Sequence, residues 1–575
     1  MIITRKRPIS SCKPCYLSKR KCGKEKPECR RCARLGKTCE YFTKEQIIER
    51  TYNRKYTSQP RNKKHYDLEV ERLDSNTQLV PEARTLEKRN FNLIISSTGE
   101  YSKYFSLFYF PFAEKESNVN TIVGLSHDEH DQRVVFDFTR PVKPLSGFRD
   151  LVERLPSRED CNFLVVFFFQ NIHPYIPIVD QEEFAIHYGQ LWNTKEKYKD
   201  FNGLLEILAV LFSSSLVNQL SNMFHYGSMQ HSNDKVDFEN VKLTSFQAIE
   251  NIKHWISIMN SPSMSSLVAA TLIYYVGSLN CIGKNSEIAS LSRLCQIAGL
   301  HRNFSAQSSG SSLRYILYSF ISYMDSLSSY YSGLPPTMHR DFCETYKNLP
   351  TDLDHHSLVY LSIQFHNGIL WGDIIAEMNK IRVTTQSEYD SIFERFIDTQ
   401  RLVNSLNHRL LTEFNLDPIY AKWLVTEGRL GIRKSALLIN ILRDSIMSSE
   451  YSLDDPSYSL LLQSLLLVNE SIMKIELGLR CEPACLWVIR NSYPFQALTI
   501  ILKHLQQHPD QGVNFRMLPD DEEYTADESF DYLNGDIRAP LVRKCILSLE
   551  KIKILWPAVL LTRFDGVIKV KNEVL

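Results

Sequence analysis

From about residue 150 onward, apolar residues recur three or four positions apart. Leu313, Ile316, Leu317, Phe320, Ile321, Met324 and Leu327 fall on one face of a 3.6-residue helix. Ile288, Leu291, Leu294, Cys295 and Ala298 do the same just before Gly299, a residue suited to stopping a helix. Leu541, Val542, Cys545, Ile546, Leu549 and Ile552 repeat the pattern near the end. Alternating runs of strand type are scarce and no fixed-period repeat appears. The pattern predicts a large all-α domain over 150–575.

The first 149 residues lack this pattern. Tyr66, Val70, Leu73, Thr77 and Val80 follow heptad-like spacing over 66–80, and Pro81 stops it. Sustained coiled coils need about three or four heptads and this seam has about two, so two readings stay open. One is a short coiled coil that makes a homodimer; the other is an amphipathic helix packed on the body. Residues 40–65 read as a flexible linker and 81–149 as a connecting region. The apolar runs at 204–212 and 460–468 are too short to cross a bilayer, so no membrane partner is expected. The basic N-terminus, MIITRKRPIS, has no apolar stretch after it and does not read as a signal peptide.

Charge changes the picture. The 575-residue chain is nearly neutral, with a net of +1. Residues 1–64, however, hold 20 Lys and Arg against 5 Asp and Glu, and the remainder holds 47 against 61. A basic head of +15 on an acidic body of −14 is the asymmetry of a nucleic-acid-binding arm. A solvated basic tail would give the same count.

Six of the 13 cysteines stand at 12, 15, 22, 29, 32 and 39. Their spacing is C-x2-C-x6-C-x6-C-x2-C-x6-C, one half repeated 17 residues later. Thiolates bind Zn2+ in tetrahedral sets of four. Six thiolates fill the eight positions of two tetrahedra when two of them bridge. A binuclear cluster with two zinc ions per chain is the simplest arrangement. Its formal charge of −2 is offset by the lysines and arginines between the ligands. A metal store or redox switch would need neither so regular a repeat nor so many interleaved cations.

This stretch, with basic Lys19-Arg20-Lys21 before the third cysteine and Pro27 in the joining loop, resembles the fungal Zn(2)-Cys(6) binuclear cluster family of the galactose-regulator type. The resemblance covers Cys12 to Cys39, with 1–11 as a basic arm ahead of it. It implies a zinc-cored DNA-binding domain with two short helices, in which Cys12 and Cys29 bridge the metals. It implies that the end of the first helix enters the major groove of double-stranded DNA, where Lys19 reads a CGG triplet. Guanine O6 and N7 are the natural acceptors for such a donor. Lys13, Arg20, Lys21, Arg30 and Arg31 are then expected on phosphate, which sets register rather than sequence. Three positions depart from the commoner family pattern: Tyr16 where Arg is frequent, Ser18 where a second cation is frequent, and Gly23 where Asp is frequent.

The body also resembles the middle homology region of fungal zinc cluster regulators, through 167–184, 291–304, 314–336 and 348–355 taken in order. That implies a regulatory role and, as in some members, a small-molecule effector; no effector contact is singled out by sequence. Residues 517–536 carry eight Asp and Glu and no Lys or Arg, interspersed with Tyr524, Phe530 and Tyr532. Acidic-hydrophobic mixing suits a segment that engages transcriptional coactivators. An acidic surface loop between two helices is the plainer reading, and an activating role is expected mostly from the family's habit.

No G-x-S-x-G, H-E-x-x-H, G-x-x-x-x-G-K-[ST] or G-x-G-x-x-G is present, so no enzyme is expected. His173 and His301 read as structural histidines, and Cys481 and Cys485 as buried core cysteines. The expected function is a nuclear transcription factor of RNA polymerase II genes in a fungus, an activator. Arg5-Lys6-Arg7 and Lys19-Arg20-Lys21 are weak import signals, which DNA contact explains equally well. The alternative is a zinc-dependent protein-interaction regulator, recruited to chromatin by partners without DNA specificity of its own.

Overall fold

The computed structural model describes residues 12–17, 22–36, 38–41, 91–95, 102–106, 148–193, 199–227, 234–255, 262–278, 285–302, 311–338, 340, 354–380, 382–447, 457–481, 485–513 and 535–575. Lys19, Arg20, Lys21, the heptad seam at 66–80 and most of the acidic segment lie outside them. The chain divides into two compact units, Met1–Asp67 and Leu68–Leu575.

In the first unit, α1 (Lys13–Leu17) and α2 (Arg30–Arg34) are one short helix per cysteine half. The unit's buried interior is sulfur: Cys12, Cys15, Cys22, Cys29 and Cys32, with Cys39 and Tyr41 packed against them. Glu40 and Tyr41, at the start of the expected linker, fold back onto this interior. Cys12 forms an isolated antiparallel bridge with Tyr41, and the Lys13 N–H donates to the Glu40 carbonyl at 2.7 Å.

In the second unit, β1 (Phe91–Ile95) and β2 (Ser102–Ser106) pair antiparallel, Phe91 opposite Ser106. They fall in the region expected only to connect. The other described elements are helical, from α3 (Phe148–Glu153) and α4 (Arg158–Asn171) through α5 (Gln181–Asn193), α6 (Phe201–Tyr226), α7 (Phe238–Trp255), α8 (Met264–Gly277), α9 (Asn285–Ile297) and α10 (Ser311–Ser332). Then come α11 (His356–Met378), α12 (Gln386–Thr412), α13 (Pro418–Met447), α14 (Tyr458–Gly478), the single turn α15 (Leu486–Ile489), α16 (Phe495–Gln507), α17 (Arg538–Ile552) and α18 (Ala558–Val574).

Local chemistry sets many of the boundaries. Ser157, Asp200, Ser263 and Ser457 each cap a helix by accepting a backbone N–H of its first turn. Thr385 and Glu388 form a reciprocal capping box that starts α12. Helix α6 stops at Gly227, whose φ of +70° closes the last turn at no cost to a residue without Cβ.

Packing then follows the apolar faces. Helix α6 is apolar all round because α4, α5, α7 and α8 surround it. By length and composition alone it could cross a membrane, but 94% of its apolar window is buried in this body, as expected of a core helix. Helix α13 plays the same central part for α11, α12 and α14, and α14 carries α16 and α17. Four tryptophans, Trp371, Trp423, Trp487 and Trp556, are among the largest fully buried side chains. The indole of Trp371 donates to the Gly431 carbonyl at 3.1 Å, that of Trp487 to Asn171 at 3.3 Å, and that of Trp556 to Arg490 at 2.7 Å. Each of these three satisfies its one polar atom while burying a large apolar ring.

Candidate metal centre

The C-x2-C spacing does the local work in each half. Cys12 stands just ahead of α1 and Cys15 lies one turn in, with Pro14 in the first turn, where its missing N–H costs nothing. Cys29 is the N-cap of α2, and its Sγ accepts the Cys32 N–H at 3.5 Å. The third cysteine is tied to the first of its own half in both repeats. The Cys12 N–H donates to Cys22 Sγ at 3.5 Å, and the Cys29 N–H to Cys39 Sγ at 3.3 Å. The sequence repeat is thus a repeat of hydrogen bonds.

All six thiols are free, and the sulfurs converge. Cys12 Sγ lies 3.7 Å from Cys29 Sγ, 3.7 Å from Cys32 Sγ and 3.8 Å from Cys22 Sγ. Cys15 Sγ lies 3.8 Å from Cys29 Sγ. The ligand atoms of Cys12, Cys15, Cys29 and Cys32 are all within 4.8 Å of one another. A tetrahedral zinc with Zn–S near 2.3 Å requires S···S edges of about 3.8 Å. The spacing fits that metal, whereas a disulfide would need about 2.05 Å. No other group of three or more metal-ligating side chains occurs among the described residues.

Electrostatics favour a cation here. The Cys32 N–H pulls the Cys29 thiol down to about 6, while burial pushes Cys12, Cys15 and Cys32 up. Crowded, desolvated thiols resist deprotonation by themselves, and a bound cation reverses that balance.

Three side chains that the cysteine pattern does not signal shape the surface. Glu40 pairs with Lys13 at 2.5 Å. Glu25 accepts the Arg30 N–H at 3.3 Å and faces the Arg30 guanidinium at 3.5 Å; its own and the Arg30 backbone N–H hold its carboxyl below the usual range. Tyr41 donates its hydroxyl to the Glu25 carbonyl at 2.7 Å. Gly23 makes room for this: a Cβ there would lie 2.2 Å from Glu25 Oε2. So Lys13 and Arg30, expected on phosphate, each have a carboxylate partner at the surface of the same unit. Arg31 is part-buried on α2. Lys19, Arg20 and Lys21 lie outside the described residues.

Elsewhere, His173 is structural: its Nε2 bonds the Val179 carbonyl at 3.0 Å, and burial lowers its pKa. Of the two core-cysteine candidates, Cys485 is buried with its Sγ 3.0 Å from Tyr175 Oη, but Cys481 is only partly buried. Cys481 sits just past the end of α14, packed against the edge of the core.

The family model for the fungal Zn(2)-Cys(6) binuclear cluster domain matches residues 10–46. No curated protein matches the chain. The matched domain indicates a fungal zinc-cluster transcription factor that binds DNA, with a thiolate group suited to zinc.

Proposed function

We propose that this chain is a nuclear, sequence-specific regulator of RNA polymerase II genes that reads CGG-type triplets through a cluster of two zinc ions. The observation that carries it is the convergence of sulfurs from both cysteine halves, with Cys12 Sγ 3.7 Å from Cys29 Sγ and Cys12, Cys15, Cys29 and Cys32 all within 4.8 Å of one another. Cys12, Cys15, Cys22 and Cys29 would hold one ion, and Cys29, Cys32, Cys39 and Cys12 the other, with Cys12 and Cys29 shared. The metal supplies the folding free energy, about 10 kcal/mol or more for structural zinc, in a unit too small to fold on burial alone.

Lys19, four residues past Cys15, would donate to guanine O6 and N7. Arg20, Lys21 and Arg31 would hold phosphate and fix the register. The body would regulate output, with activation through coactivators, dimerisation through 66–80 and an effector as its further elements.

The test is selection from random duplexes by the full zinc-loaded chain at near-physiological salt, since weaker salt inflates phosphate binding. CGG enrichment is expected, and the number and spacing of triplets would report dimerisation. The second reading, a partner-recruited regulator without DNA specificity, is favoured by the carboxylates on Lys13 and Arg30. It would be selected by a zinc-loaded chain that enriches no sequence.

A further inference from the structure

Between α8, α10, α11, α13 and α14 lies a polar cavity whose wall includes Lys434, Lys474, Glu427, Gln364 and Tyr360. Lys434 is part-buried and Lys474 and Glu427 are more deeply placed, and a charge withdrawn from water is costly unless it is paired. Lys474 is paired, forming a buried salt bridge with Glu427. Lys434 is not. Its ammonium has no hydrogen bond or ion pair among the described residues. It lies instead over the rings of Tyr330, Trp371 and Tyr331, at 5.1, 5.2 and 5.5 Å from their centroids.

Ring faces attract a cation, but they accept hydrogen bonds poorly, so the three N–H donors of Lys434 remain for the cavity. Tyr360 adds another donor. Its oxygen accepts from Gln364 Nε2 at 2.6 Å, which leaves its own proton to point elsewhere. Two ammonium groups and one carboxylate thus leave the wall with one uncompensated positive charge.

The cage is built with care. Gly431, one turn before Lys434, lets α11 approach α13: a Cβ there would lie 2.2 Å from Asn367 Nδ2. That approach brings the Trp371 indole to the Gly431 carbonyl at 3.1 Å and sets its ring under the ammonium. The free space is that of about one water-sized group, which excludes a bulky ligand.

We propose that this cavity binds a small monoanion of about the size of one water, a halide, with Lys434 as its counter-charge. Binding would join α10, α11 and α13 through one ion and stabilise the body.

The test is thermal unfolding of the full chain, titrated with sodium chloride or sodium formate at ionic strength held by a bulky sulfonate, with formamide as the neutral control. A saturable rise in Tm is expected with chloride and with neither formate nor formamide, and a formate rise equal to or larger than chloride's would overturn the halide assignment. Lys434→Met, which keeps the length and apolar stem, should abolish the rise. Glu427→Gln removes the competing carboxylate and should lower the half-saturating concentration by about threefold or more. An absent rise, an equal rise in Lys434→Met, or an unchanged midpoint in Glu427→Gln would overturn the proposal. An absent rise in the parent chain decides the matter even if neither variant folds.

Discussion

The Sγ atoms of Cys12 and Cys29 lie 3.7 Å apart, one from each half of the cysteine repeat. Each also reaches the opposite half: Cys12 lies 3.7 Å from Cys32, and Cys29 lies 3.8 Å from Cys15. A sulfur shared by two tetrahedra must do this. Cys29→Ser should therefore release both zinc ions, whereas loss of an unshared ligand such as Cys39 should leave the first site intact. Zinc per chain, measured after removal of free metal, decides it. A Cys29→Ser chain that keeps two zincs would refute the bridge.

Glu40 and Lys13 form an ion pair at the exposed edge of the cluster. Glu40→Ala should free Lys13 for phosphate, with little effect on folding, since exposed pairs contribute about 0–1 kcal/mol. Affinity for all duplexes should rise together, and the salt dependence should steepen by about one counterion. Lys19→Ala should behave differently, relaxing the preference for CGG at a cost of about 1–3 kcal/mol in discrimination. Equal loss on every sequence would remove Lys19 from base reading.

Asp325 on α10 is buried, and its carboxylate accepts the Met338 N–H at 2.7 Å, pinning the loop after Gly333. Burial holds this carboxyl up at about 6, against an ordinary 3.8. The folded chain thus binds the proton more tightly than the unfolded one. That stabilisation is full below about pH 4 and is lost as pH rises through about 6. Asp325→Asn keeps an oxygen for Met338 and removes the titration. Between pH 4 and 7 the parent should lose up to about 3 kcal/mol relative to it. Urea unfolding across that range measures the difference, and parallel pH profiles would exclude the assignment.

Val513 and Ile537, on either side of the acidic segment, meet in the body. The Ile537 N–H donates to the Val513 carbonyl at 3.0 Å, and Asp536 accepts from the Val513 N–H at 3.2 Å. Asp536, the last acid of the stretch, is spent on this clasp with the fully buried Arg538, 2.8 Å away. Arg538 also donates to the His508 and Pro509 carbonyls. Replacing 514–534 by a short Gly-Ser bridge should leave the body's melting temperature within a few degrees. Arg538→Ala should cost about 3–5 kcal/mol, because it strands buried acceptors. If the segment engages coactivators, reporter output should fall in the first variant while DNA binding persists. A body that unfolds on this replacement would show that the clasp does not close it off.

What the sequence determined by itself is what covalent spacing fixes. Cys12, Cys15, Cys29 and Cys32 meet because two residues of spacing span one helical turn, and a 17-residue displacement repeats the geometry. The helical character of α9, α10 and α17 was likewise legible, because Leu291, Phe320 and Leu549 repeat at the period of their own backbone. Tertiary structure decided the rest. Glu40 reaches Lys13 across 27 residues of chain, and Glu427 reaches Lys474 across two helices, so neither pairing leaves a local trace. Asp536 looked like one more solvated acid until the chain brought it to Arg538 and Val513. Nothing in the local sequence marks Lys434, yet helix packing sets it over rings from α10 and α11. Periodicity places a residue on a face of its helix. Only the packing of helices distant in sequence decides what that face meets, and so which charge is paired and which is left to bind.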